Sequence, residues 1–152
     1  MATWMQEKVA PCFTAATSND VSALPPELLR KGRFDEIFFV DLPSQRERAD
    51  IWRALAKKYK QGDVAIERLA ALSDGFSGAE IEAALVSAMF RSFSAGRSLE
   101  SEDLSAALAE TVPLSKTAAE KINQLRSWAK GRARPASIVD SAAPSGRALE
   151  IE

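Results

Sequence analysis

The 152-residue sequence has no histidine and a single cysteine, Cys12. Their scarcity excludes histidine-containing catalytic triads, Cys/His dyads, histidine-based metal sites and any internal disulfide. An excess of one charge is also missing: 20 basic and 21 acidic residues are mixed along the chain and leave a net charge of −1. Such a balance gives no electrostatic footprint for nucleic acid or an anionic membrane, so neither is expected as a partner. No apolar run approaches the ~20 residues a membrane span needs, and no basic segment followed by an apolar one opens the chain. What is present, 46% hydrophobic and 27% charged residues, is an ordinary globular composition, enough for one core or two small ones.

The first quarter of the chain alternates between strand and helix signals. Residues 1–8, MATWMQEK, read as the end of a helix. Cys12 to Asp20 passes from small and apolar to polar, as a buried strand running into a loop would. Pro25 and Pro26 then open a helix of about two turns that buries Leu28 and Leu29 and stops at Gly32. Ile37 to Val40, IFFV, is a short apolar run bounded by Asp41 and Pro43, the pattern of a strand covered on both faces. Two strands joined through a helix imply a parallel sheet, so residues 1–42 are expected to be the end of a larger α/β domain.

From Ser44 the pattern is wholly helical. Ser44 with Glu47, and Ser77 with Glu80, are spaced as capping boxes, in which each partner satisfies a backbone N–H that the helix leaves open. Ile51, Trp52, Leu55 and Tyr59 line one face of the first helix, which should stop before Gly62. A second covers Ile66 to Leu72, and a third carries Ile81, Ala84, Leu85, Ala88 and Met89 at helical spacing. Ser101 caps a fourth that buries Leu104 and Leu108. Thr117 with Glu120 opens a fifth, with Ala118, Ile122, Leu125 and Ala129 on one face. An all-α bundle is thus expected over residues 43–130. Beyond Gly131 the periodicity fails, and 131–152 reads as a mobile, disordered tail.

The segment TAATSNDVSALPPELLRKGRFDEIFFVDLP resembles the second region of homology of AAA ATPases, and GFSGAEIEAAL resembles the start of the lid helix that closes over their nucleotide. The likeness extends from Thr3 to about Ser137 and is similar in WMQEK and INQLRSWAKGRARPAS to the AAA proteins of cyanobacteria, plastid genomes and other bacteria. It implies an α/β remnant, the end of a P-loop AAA core, followed by an all-α lid. It also implies ATP and Mg as cofactors of the parent enzyme, other AAA subunits in a homo-oligomeric ring as partners, and a cytoplasmic or plastid-stromal setting.

The resemblance assigns roles residue by residue. Asn19 becomes the sensor whose amide, both donor and acceptor, holds the attacking water; read alone, it is a loop Asn in the SND turn. Arg30 and Arg33, three apart at the end of the short helix, become arginine fingers whose permanently charged forks reach a neighbouring subunit's ATP. Read alone, they complement a helix dipole. Gly78 and Ala79 become nucleotide contacts at the lid helix, whereas locally they merely start it. Leu55 stands where many relatives carry an adenine-facing histidine, which removes that hydrogen bond, and Ser18 replaces the usual Thr before the sensor.

Two elements of such an enzyme are missing. None of the seven glycines lies in a GxxxxGK[ST] phosphate loop. IFFVD imitates the acidic strand that holds Mg, but it follows the arginines, so Asp41 is expected to be a strand-end residue only. Since the family places both elements before the position of Met1, truncation is the economical expectation, with a chain that neither binds Mg-ATP tightly nor hydrolyses it alone. An alternative is a non-enzymatic helical interaction module that binds protein through Ile51, Trp52 and Tyr59.

Overall fold

The computed structural model describes residues 13–21, 24–29, 34–62 and 64–137. They fall into two compact units, one drawn from before Asp41 and after Lys130, the other spanning Asp41–Lys130.

In the first unit Pro26–Leu29 forms a single 3₁₀ turn, started by the Leu28 N–H donating to Pro25 O at 2.9 Å. Strand β1 (Phe38–Phe39) pairs in parallel with β2 (Arg134–Pro135). Arg134 N–H donates to Ile37 O and Ala136 N–H to Phe39 O, each at 2.9 Å. Alternate residues of a parallel strand point their N–H groups at the same neighbour, so Pro135, between the two donors, occupies the position where no N–H is required.

Three expectations change here. The parallel partner of β1 is β2 rather than a strand over Cys12–Asp20, since Phe13–Val21 contains no strand among the described residues. Residues 134 and 135, placed by periodicity in an irregular tail, have a backbone partner, because main-chain pairing needs no apolar pattern. Finally, IFFV is not covered on both faces: Phe38 and Val40 are exposed, as a sheet of two short strands cannot bury both sides. The expected helix end at residues 1–8 lies outside the described residues.

The second unit is helical. Helices α1 (Gln45–Lys58), α2 (Ile66–Leu72), α3 (Gly78–Ser94) and α4 (Ser101–Glu110) surround one core, with α1 against α2 and α3, and α4 against α2 and α3. Trp52, Leu69, Ile81, Leu85 and Leu104 are its fully buried large side chains. Each contributes roughly 1.5–3 kcal/mol on burial. Trp52 Nε1–H donates to Ser73 Oγ at 3.1 Å, and Ser73 Oγ–H donates on to Leu69 O at 2.7 Å, so the indole is buried with its polar atom satisfied. Both capping boxes form; at α3, Ser77 Oγ accepts from Glu80 N–H at 3.3 Å and Glu80 Oε2 accepts from Ser77 N–H at 2.7 Å.

Helix ends depart from the sequence reading in three places. At the end of α1 the left-handed residue is Lys60 (φ 52°) rather than Gly62. Gln61 N–H reaches back to Ala56 O at 2.9 Å and Lys60 N–H to Lys57 O at 3.3 Å, the paired bonds that close a helix through a left-handed residue. Ser101 is the first residue of α4 rather than its cap; Glu100 precedes it, its N–H donating to Asp103 Oδ2 at 3.0 Å. The Thr117–Glu120 box does not form: Leu114–Thr117 is a separate short helix α5, and α6 (Ala119–Ala129) follows Ala118 without a side-chain cap. Ser115 N–H donates to Gly75 O at 3.3 Å, which ties α5 to the α2–α3 turn and separates it from α6.

Candidate functional site

The expected nucleotide contacts, Gly78 and Ala79, sit at the capped start of α3. The capping box consumes the N–H groups of Ser77 and Glu80. Gly78 and Ala79, the first two helical residues, keep N–H groups that no helical carbonyl can reach. Ala79 is exposed and Gly78 partly so. Backbone donors left open at the positive end of a 17-residue helix suit an anionic ligand. A Cβ built on Gly78 would lie 3.7 Å from Ile51 Cδ1, an ordinary contact, so packing alone does not require glycine there.

The other predicted residues are placed differently. Asn19 is exposed in a bend of the first unit, not at a strand tip. Its neighbour Ser18 organises that bend, its Oγ donating to Asp20 O at 2.9 Å and accepting from Asp20 N–H at 3.2 Å. Arg30 and Arg33 lie outside the described residues. Leu55 is a core residue of α1. Of the alternative binding face, Trp52 is unavailable at 1% exposure, and Ile51 and Tyr59 are partly buried against the same core, so the apolar stripe of α1 serves mainly to hold the bundle together.

Sequence reasoning missed two arginines. Arg48 is buried, its Nε–H donating to Ala70 O and its Nη1–H to Pro43 O, both at 2.9 Å, with Nη2 2.9 Å from the exposed carboxylate of Asp74. Arg126 forks onto Asp41, with Nε 2.8 Å from Oδ2 and Nη2 2.9 Å from Oδ1. Both line an open cleft of about 450 Å³ near Pro43, Gly75 and Ser115. Since carboxylates and carbonyls already engage both guanidinium groups, the cleft offers no uncommitted charge to a phosphate. Asp41 is engaged in the same way, its Oδ1 also accepting from Leu42 N–H at 2.7 Å. Among the described residues no group of three or more carboxylate or thiol side chains is placed to hold a metal ion. No described helix is long and apolar enough to cross a membrane.

Charged groups elsewhere on the bundle pair with one another. Arg97 follows Gly96 (φ 67°) and grips both oxygens of Asp103, at 2.6 and 2.7 Å. The Arg97 fork, assisted by the Glu100 N–H, lowers the Asp103 pKa to about 2. Glu82 accepts from Lys58 and from Tyr59, which holds its carboxyl below the usual range and raises both partners.

Comparison with known proteins identifies homologues of the chain. Residues 63–106 match the model of the AAA+ lid domain. The chain is 45% identical over 140 residues to the uncharacterised AAA domain-containing protein ycf46 of Pyropia yezoensis, covering 90% of this chain and 28% of the relative. It is 44% identical over 141 residues to the ycf46 protein of Gracilaria tenuistipitata var. liui, covering 90% and 29%. Identity to the proteasome-activating nucleotidase of Saccharolobus islandicus (strain M.14.25 / Kamchatka #1) is 43% over 83 residues, 54% of this chain and 21% of that protein. The chain therefore spans less than a third of the length of these curated relatives. No solved structure matches it. The chain is thus a homologue of AAA domain-containing proteins over about nine tenths of its length, and its residues 63–106 match the AAA+ lid domain.

Proposed function

We propose that this chain is the C-terminal portion of an AAA ATPase that couples ATP hydrolysis to remodelling, and that it supplies sensing and lid residues rather than the phosphate cradle. The observation that carries the reading is the capped start of α3, where Gly78 and Ala79 have no helical acceptor for their backbone N–H groups inside the matched lid domain. These donors fit a polyphosphate ligand such as ATP, whose γ-phosphoryl group would supply the chemistry. Mg would accompany ATP in the parent enzyme, held by one or two carboxylates together with the phosphates. Asn19 orients water through its amide, while Arg30 and Arg33 reach a neighbouring subunit of a homo-oligomeric ring and stabilise charge on the transferred group. The chain by itself turns over no ATP.

The test is to join this chain to the remaining part of a homologous AAA protein and measure hydrolysis. Asn19→Ala and Arg33→Ala are expected to lower kcat by about 10²-fold or more with nucleotide binding retained. Ala79→Glu, which sets a carboxylate beside the phosphates, is expected to raise KM instead. Equal turnover in all variants, or turnover by the isolated chain that survives Asn19→Ala with Arg33→Ala, would sink the proposal.

A further inference from the structure

The helical unit has one core, and α6 stands outside it. Among the described residues that core is drawn from positions between Ala49 and Leu108, and the half-buried side chains packed on it lie between Ile51 and Leu99. Of the 11 residues in α6 only Ala129 is buried, while Ile122, Leu125 and Trp128 are half-buried. That length is also below the ~12–15 residues an isolated helix needs to hold in water, so α6 keeps its form only while it is docked.

Both ends of α6 are joints. Ala118 precedes it at φ −123° and ψ 28°, away from helical values, and no side chain caps the start. Past Lys130 the chain turns at Gly131 (φ 76°), where an added Cβ would meet nothing within 4 Å. Neither joint lies in α1–α4, so rotation there leaves those helices intact.

A charged fork reaches from α6 across the chain. Arg126 places Nε 2.8 Å from Asp41 Oδ2 and Nη2 2.9 Å from Oδ1, a two-point grip on a carboxylate 85 residues away. Asp41 is set for that grip by Leu42 N–H, which donates to the same Oδ1 at 2.7 Å. The two side chains are 46% and 35% exposed, so dissolved salt reaches the pair and weakens it.

We infer that α6 is a strap latched by the Arg126–Asp41 fork, and that it opens between Ala118 and Gly131 while α1–α4 stay folded. An apolar core and an exposed ion pair respond differently to salt, which gives the strap a control that the bundle lacks. Asp41 is the first residue of the helical unit. With the strap closed, both its carboxylate oxygens are held; with the strap open, the residue through which the chain enters the unit is released. The latch therefore sets how freely the backbone turns at that entry, and it does not depend on the nucleotide reading.

Hydrogen exchange of the full chain, read by mass spectrometry, tests it. Amides of α6 are expected to exchange about 10²-fold or more faster than those of Ile81–Ala88 in α3, because a local opening is reached far more often than unfolding of the core. Raising salt from ~0.01 to ~1 M, which shortens the screening length from about 30 to about 3 Å, is expected to speed α6 exchange by about 2–5-fold and to leave α3 unchanged. Asp41→Asn and Arg126→Gln are each expected to give that faster exchange already at low salt and to remove the salt response. The exchanged pair, Asp41→Arg with Arg126→Asp, is expected to restore part of the protection. Protection of α6 equal to that of α3 overturns the separate opening. Acceleration of α3 along with α6 in either variant makes α6 part of the core and overturns the strap. Variants that exchange as the wild type does, with the salt response intact, overturn the latch.

Discussion

Arg48 joins three separate parts of the helical unit, and removing it gives the most direct test of how that unit is held together. The Arg48→Ala substitution leaves Ala70 O and Pro43 O without the donors that now lie at 2.9 Å. Hydrogen bonds to a charged group contribute about 1.5–3 kcal/mol each, so the two together are worth about 3–6 kcal/mol. The ion pair with Asp74 adds little, since that carboxylate is 84% exposed and water screens it, at about 0–1 kcal/mol. Partial access of water to the Pro43 carbonyl argues for the lower part of the range, about 3–4 kcal/mol. For a unit of this size that lowers Tm by more than about 10 °C, read from helical circular dichroism. Asp74→Asn is the control and should stay within about 1 kcal/mol of wild type. If Arg48→Ala costs under about 1 kcal/mol, or Asp74→Asn costs as much as Arg48→Ala, the guanidinium is not the tie its geometry describes.

Further outcomes follow from single positions. Gly75 has φ +75° and a Cβ there would lie 2.9 Å from Ser115 Cβ, so Gly75→Ala is expected to cost about 2–4 kcal/mol in urea unfolding. Adding Ser115→Gly should restore the steric part and not the backbone part. Lys60→Gly relieves a left-handed conformation at the end of α1 and should stabilise by about 1 kcal/mol, visible as a Tm rise of several degrees. Asp103 has a pKa of about 2 in the fold against about 3.9 unfolded. A depressed carboxyl pKa means that its contribution is fully present above pH ~4 and is lost as pH falls from there through about 2. Thermal melts across that window should show a smaller acid dependence in Asp103→Asn than in wild type, and identical curves would remove the Arg97 fork from the account.

Local chemistry was readable in advance where both partners lie within one turn of helix. The boxes at Ser44 with Glu47 and at Ser77 with Glu80, the bounds of α2, and the buried positions Ile81, Leu85, Leu104 and Leu108 all follow from spacing. At Gly78 and Ala79 spacing gives only a capped helix start, and the nucleotide contact there comes from resemblance. Roles for Asn19, Arg30 and Arg33 came from resemblance alone, because a loop Asn and helix-end arginines have no local signature of function.

By itself, then, the sequence determined where α1, α2 and α3 begin, which of their faces are apolar, and that no histidine or internal-disulfide chemistry operates here. Tertiary structure alone decided that β1 pairs with Arg134–Pro135, that Arg126 meets Asp41 across 85 residues, and that Arg48 and Trp52 are interior while Phe90 and Phe93 are not. The physical reason is distance along the chain. Capping and periodicity act over three or four residues, whereas a backbone ladder, an ion pair or a buried face depends on which distant segment arrives opposite, and no local pattern records that arrival.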